Sequence, residues 1–155
     1  MKVVELYKPR VGPKLARSAP MKRGPKKRAK PSVLRSLRSK LWELCKAIIR
    51  KKYGNICYTC GKSGLSGGGW QTGHFVPRSV GGLALRYELT NLRPQCYRCN
   101  INLAGNGSVF YRKMVEIEGQ AYVDAIFAAK ELKLKETPDF FFDKIAEYKK
   151  ILESL

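Results

Sequence analysis

Between residues 32 and 53 apolar side chains return every three or four positions: Leu34, Leu37, Leu41, Leu44, Cys45, Ile48 and Ile49. That period draws one stripe along an amphipathic helix. Pro31-Ser32 supplies a start and Gly54 a stop. Further on, Trp70–Pro77 reads as a short strand. Ser79–Gly82 reads as a turn, and the alternation through Leu83–Tyr87 predicts a second strand pairing back on the first. Glu88–Gln95 then returns the chain. Asn106-Gly107-Ser108 offers side-chain acceptors for a helix start, predicting a helix over Ser108–Glu118 that stops at Gly119. A second helix is expected over Gln120–Lys133, with Tyr122, Val123, Ile126, Phe127 and Ala129 on one side. Thr137-Pro138 caps and opens a last helix, whose stripe is Phe141, Phe142, Ile145, Tyr148, Ile151 and Leu152. These aromatics are assigned to the core or to a homodimer contact through the C-terminal helices.

Residues 1–31 break the pattern. They hold 11 Lys and Arg, the single acid Glu5 and five of the eight prolines. Such a segment buries too little apolar surface to offset its ordering entropy. It is read as a mobile basic arm, with a short ordered piece at Val3–Tyr7, and residues 32–155 as the folded domain.

Charge narrows the partner. The chain of 155 residues has 31 Lys and Arg against 12 Asp and Glu, a formal charge of +19. That balance calls for a polyanion, most often nucleic acid. Lys22, Arg23, Lys26, Lys27 and Arg28 in the arm, with Arg78, Arg93 and Arg98 beyond it, are the candidate DNA-binding residues. The off-stripe cations of the first helix, Arg35, Arg38, Lys40, Lys46, Arg50, Lys51 and Lys52, face either DNA or water. No run of about 18 apolar residues exists, so no membrane span is expected. The N-terminus lacks an apolar signal core, which points to a reducing intracellular compartment.

In that setting paired cysteines bind metal rather than form disulfides. Cys57-Tyr58-Thr59-Cys60 and Cys96-Tyr97-Arg98-Cys99 are two such pairs, and four thiolates at this spacing suit tetrahedral Zn²⁺. The fifth cysteine, Cys45, lies in the first helical stripe and reads as a small buried hydrophobe. The 35 residues between the pairs hold the only histidine, His74. Neutral imidazole suits a general base, and unperturbed it titrates near 6.5, so activity would rise with pH through that value. His74 could instead be a zinc ligand or a packed core residue.

Gly73-His74-Phe75, Asn91-Leu92-Arg93-Pro94-Gln95-Cys96, and Cys99-Asn100 with Gly105-Asn106 resemble the HNH, or ββα-metal, endonucleases. More closely, they resemble the phage NinG/Rap recombination endonucleases, over about Leu41 to Leu134. The resemblance implies an α+β fold: a small ββα-metal core on a zinc knuckle pair, about residues 55–118, between an N-terminal helix and C-terminal helices 120–155. It implies His74 as general base and Asn91 as the brace of the hairpin loop and base. Asn100, catalytic by the same analogy, stands where many HNH proteins have a metal-binding histidine, and Asn106 matches the second family asparagine. Cys57, Cys60, Cys96 and Cys99 match the structural zinc ligands. Glu88, with His74, Asn100 and Asn106, is a candidate for a catalytic Mg²⁺ or Mn²⁺ site. Two departures stand out: Gly73 precedes His74 where Asp, Glu or His is frequent, and the last histidine is absent. An Asn carbonyl oxygen serves Mg²⁺ less well than a carboxylate.

The activity implied is metal-dependent hydrolysis of phosphodiesters in duplex or branched DNA, in the cytoplasm or nucleoid of a phage-infected bacterial host. The competing class is a non-catalytic zinc-knuckle nucleic-acid-binding protein, with RNA as another target. On that side Asn100 and Asn106 are plain helix caps and Glu88 a turn or salt-bridge residue.

Overall fold

The computed structural model describes residues 33–155. The basic arm, its ordered piece at Val3–Tyr7, and Lys22, Arg23, Lys26, Lys27 and Arg28 lie outside the described residues.

Helix α1 spans Val33–Tyr53, and its stripe turns Leu37, Leu41, Cys45, Ile48 and Ile49 inward. It packs on α5, Pro138–Ser154, through Phe141, Ile145 and Tyr148. Thr137 caps α5: its hydroxyl accepts from Phe140 N–H, and Pro138 occupies the first turn, where a missing N–H costs nothing. Cys45 is fully buried, and burial pushes its thiol up to about 12, so it packs as an inert hydrophobe. The last helical stripe therefore faces α1, apart from the exposed Phe142. A second apolar cluster joins Phe75, Val76 and Leu85 to Phe110 and Met114 of α3 (Gly107–Glu118) and Val123 and Ile126 of α4 (Gln120–Ala129). Among the described residues no helix is long and apolar enough to cross a membrane.

The two clusters flank a two-stranded antiparallel sheet. Strand β1, Trp70–His74, pairs with β2, Leu92–Cys96, in the register Trp70↔Cys96 to His74↔Leu92. This corrects the expected pairing with Leu83–Tyr87. That stretch instead ends α2, Arg78–Arg86, which Gly82 interrupts in a left-handed conformation (φ +54°). The expected turn at Ser79–Gly82 is thus the first half of α2.

The reason lies in where the side chains and carbonyls go. Leu85 enters the α3–α4 cluster while Tyr87 enters the α1–α5 cluster, so their alternation serves two cores rather than one sheet face. The carbonyls are claimed by side chains: Asn91 Nδ2 donates to Leu85 O at 3.1 Å, and His74 Nε2 bonds Arg86 O at 2.9 Å. The true partner strand is masked in sequence because Arg93, Pro94 and Gln95 look like loop residues, yet every residue of β2 is buried.

Asn91 is wholly buried at the mouth of the hairpin. Its Oδ1 accepts from Val76 N–H at 2.7 Å, and its Nδ2 donates to Val76 O at 3.0 Å and to Leu85 O. Phe75 N–H bonds its main-chain carbonyl at 2.8 Å. One amide thus ties β1's exit to α2. Asn91→Ala strands a buried N–H and two carbonyls and should lower unfolding free energy by about 3 kcal/mol. Urea denaturation measures this, and a loss under about 1 kcal/mol would show that the brace is replaceable.

Candidate active site and metal centre

Cys57 and Cys60 lie on the loop after α1; Cys96 ends β2, and Cys99 lies on the wide helical turn Arg98–Asn102. Their four sulfurs all lie within 4.8 Å of one another. Cys60 Sγ and Cys96 Sγ stand 3.8 Å apart. A tetrahedral ion with metal–sulfur bonds of about 2.3 Å spaces its ligands by about 3.8 Å, so the donor set fits zinc. Neighbouring groups point at the sulfurs: Cys99 N–H to Cys96 Sγ at 3.4 Å, the Thr59 hydroxyl to Cys57 Sγ at 3.3 Å, and Asn106 Nδ2 to Cys99 Sγ at 3.8 Å. Outer contacts of this kind orient thiolate ligands. Among the described residues no other group of three or more Cys, His, Asp or Glu converges this way.

Asn106 occupies the position before α3, but its side chain makes no capping bond there. It is held left-handed at φ +51°, as is Ala104 at φ +47°, and its amide is turned to Cys99. The expected cap is thus a contact to the thiolate cluster, away from His74's cavity.

That cavity, of about 560 Å³, is lined by His74, Asn100, Arg78, Trp42, Thr72 and Gly105, among others. His74 stacks on Trp42 with ring centres 5.4 Å apart and planes 10° from parallel. The Arg86 carbonyl can only accept, so Nε2 carries the proton and Nδ1 the lone pair. Burial pushes the imidazole pKa down, and the charges of Arg78 and Arg86 add to this; the carbonyl bond offsets them in part, leaving about 4. The midpoint expected from sequence, near 6.5, moves accordingly. Trp42 and the Arg86 carbonyl escaped the sequence reading: Trp42 sits off the apolar stripe, and no side-chain pattern marks a carbonyl.

The remaining site residues separate. Glu88 is not brought to His74; its carboxylate lies 3.6 Å from Lys144 Nζ of α5. Arg78 and Arg98 are exposed. Arg93 is not available to DNA, which corrects its assignment. Its side chain is 0 % exposed, paired with Glu118 Oε1 at 2.6 Å and set over the rings of Tyr53, Tyr58 and Tyr122. A guanidinium there costs too much desolvation to exist without those partners.

Gly73 explains the missing acid before His74. A Cβ at that position would overlap Gln95 Oε1, so the buried Gln95 side chain fills the space that any side chain there would need. Gln95 Nε2 donates to Gly105 O at 2.9 Å, fixing the turn that follows Cys99. Among the described residues no carboxylate lines the cavity.

The chain thus combines a small α+β fold with four cysteines placed to hold a metal ion. The family model for the bacteriophage lambda NinG protein matches residues 14–155, and the chain belongs to that family. No curated protein and no solved structure matches it.

Because the imidazole pKa is lower in the fold than in the unfolded chain, the unfolded form binds more protons between about pH 4 and 6.5. His74 therefore contributes stability that is full above about 6.5 and is lost as pH falls toward 4. The single histidine gives one imidazole signal in nuclear magnetic resonance. It should titrate near 4, with the proton on Nε2 above that; a midpoint near 6.5 would contradict the buried, carbonyl-bonded ring.

Proposed function

We propose that this protein is a metal-assisted endonuclease of the HNH type, hydrolysing phosphodiester bonds in duplex or branched DNA during phage recombination. The observation that carries the reading is His74: a neutral imidazole, fixed by Trp42 and the Arg86 carbonyl, on the lining of a cavity bordered by Arg78. Family membership and the charge of +19 support the choice of partner and setting.

His74 Nδ1 takes the proton from the attacking water, and Asn91 keeps the strand exit that carries it in place. Arg78 attracts the phosphate. Trp42 excludes solvent from one face of the base. Asn100, on the cavity lining with Gln71, Thr72 and Ser79, would be the ion's side-chain ligand. A divalent ion such as Mg²⁺ or Mn²⁺ would supply charge neutralisation on the phosphate and leaving oxygen. The donors lining the cavity are neutral, so the ion needs the phosphate's own charge to bind well. Calorimetry should find Mg²⁺ affinity weaker than about 1 mM without DNA, and tighter binding would point to a carboxylate ligand elsewhere.

One observation favours a second reading, a zinc-centred DNA-binding protein without catalysis: among the described residues none lining the cavity is a carboxylate. Plasmid nicking with Mg²⁺ or Mn²⁺ separates the two. Cleavage by the parent, lowered about 10²-fold or more in His74→Ala with zinc content and DNA affinity kept, is the expected result. Equal cleavage by parent and variant overturns His74 as the base, and cleavage by neither leaves the binding protein.

A further inference from the structure

The turn after the second cysteine pair carries side chains that hydrolysis does not use. Tyr97, Ile101 and Leu103 expose 51, 51 and 45 % of their surface. None belongs to either apolar cluster. Tyr97 and Ile101 are four residues apart on a helical turn, so they share a face.

The mount is stiff. Cys96 and Cys99 belong to the cluster of four sulfurs. Leu103 N–H bonds Arg98 O at 2.9 Å, Gly105 N–H bonds Cys99 O and Asn100 O at 3.0 Å, and Asn106 N–H bonds Leu103 O at 2.8 Å. Ile101 lines the same cavity as His74 and Asn100. An apolar knob therefore stands at the rim of the candidate site.

Its surroundings indicate what covers it. Between Glu43 and Glu116 the one acid is Glu88, which pairs with Lys144. Apart from the buried Arg93, the same stretch holds ten Lys and Arg. Lys46 and Lys113 pair with Glu43 and Glu116 at its ends, which leaves Arg50, Lys51, Lys52, Lys62, Arg78, Arg86, Arg98 and Arg112. Arg98 is on the knob itself and Arg78 lines the cavity, both exposed. A second copy of this surface would bring like charges together. A nucleic acid satisfies both demands, with phosphates for the arginines and base faces for the apolar side chains.

We propose that Tyr97, Ile101 and Leu103 form a wedge that enters the base stack of DNA at a weakened step, beside the backbone lying over the His74 cavity. The wedge rests on the reading above only in taking DNA as the polymer bound, not on hydrolysis. Inserting such side chains costs base stacking, least where a base is mismatched or unpaired. The wedge therefore favours distorted steps over regular duplex, and it loosens the backbone next to the base.

The test uses the full chain with its zinc and no added Mg²⁺ or Mn²⁺. The DNA is a duplex carrying the fluorescent base aminopurine at a central mismatch, with a fully paired control. The parent should raise the mismatch signal by about fivefold or more as the base unstacks. Tyr97→Ser combined with Leu103→Ser should lose most of that rise and bring the two duplexes to within about twofold in affinity, with zinc content and circular dichroism unchanged. His74→Ala should keep the full signal, so a failure of hydrolysis leaves the wedge standing. Equal fluorescence from parent and double variant overturns the proposal. So does a parent dimer in sedimentation that the serines disperse, which would assign the surface to a second copy.

Discussion

Four sulfurs held within 4.8 Å of one another are the constraint on which the rest depends. They join the loop after α1 to the end of β2 and the start of the following turn. Those segments would otherwise be connected by a two-stranded sheet, and an isolated pair of strands is marginal at best in water. Closing the chain at this point fixes β2 against β1 and sets where His74 leaves the sheet. It also anchors the turn bearing Asn100 and the exposed knob. Metal binding at such a centre is folding energy, because the site does not exist in the unfolded chain.

Around that anchor the interior is unusually polar. Asn91, Arg93 and Gln95 are all wholly buried, and they occupy the strand and its entry rather than a helix face. Each replaces something the short sheet lacks. Asn91 supplies hydrogen bonds that a longer ladder would have made. Arg93, with Glu118, joins β2 to the end of α3 among three tyrosines. Gln95 takes the space above Gly73 and holds Gly105. Polar side chains with fixed partners specify one arrangement where apolar packing of so small a sheet would tolerate several.

The helices were legible because their stripes are long and each faces a single core. Leu37 to Ile49 and Phe141 to Tyr148 repeat with the helical period, and Thr137-Pro138 marks an end by capping chemistry. The partner strand was not legible, since β2 reads as Leu-Arg-Pro-Gln-Cys and owes its burial to tertiary partners that no local pattern encodes. The alternation at Leu83–Tyr87 misled because its side chains serve two different cores. In the site, the cysteines and the lone histidine stood out by spacing and rarity. The imidazole's low pKa, its Trp42 wall, the burial of Arg93 away from DNA and the pairing of Glu88 with Lys144 all depend on which residues the fold brings alongside.

In the proposed site labour is divided: the four cysteines would take the zinc and leave His74 free for the cavity. X-ray absorption at the zinc edge of the purified full chain tests it most directly. The account predicts one zinc per chain, with four sulfur neighbours at about 2.3 Å and no nitrogen. A nitrogen in that shell could come only from an imidazole among the side chains that usually bind zinc, and the chain has one histidine. Finding it there, or finding well-folded protein without zinc, would contradict the account.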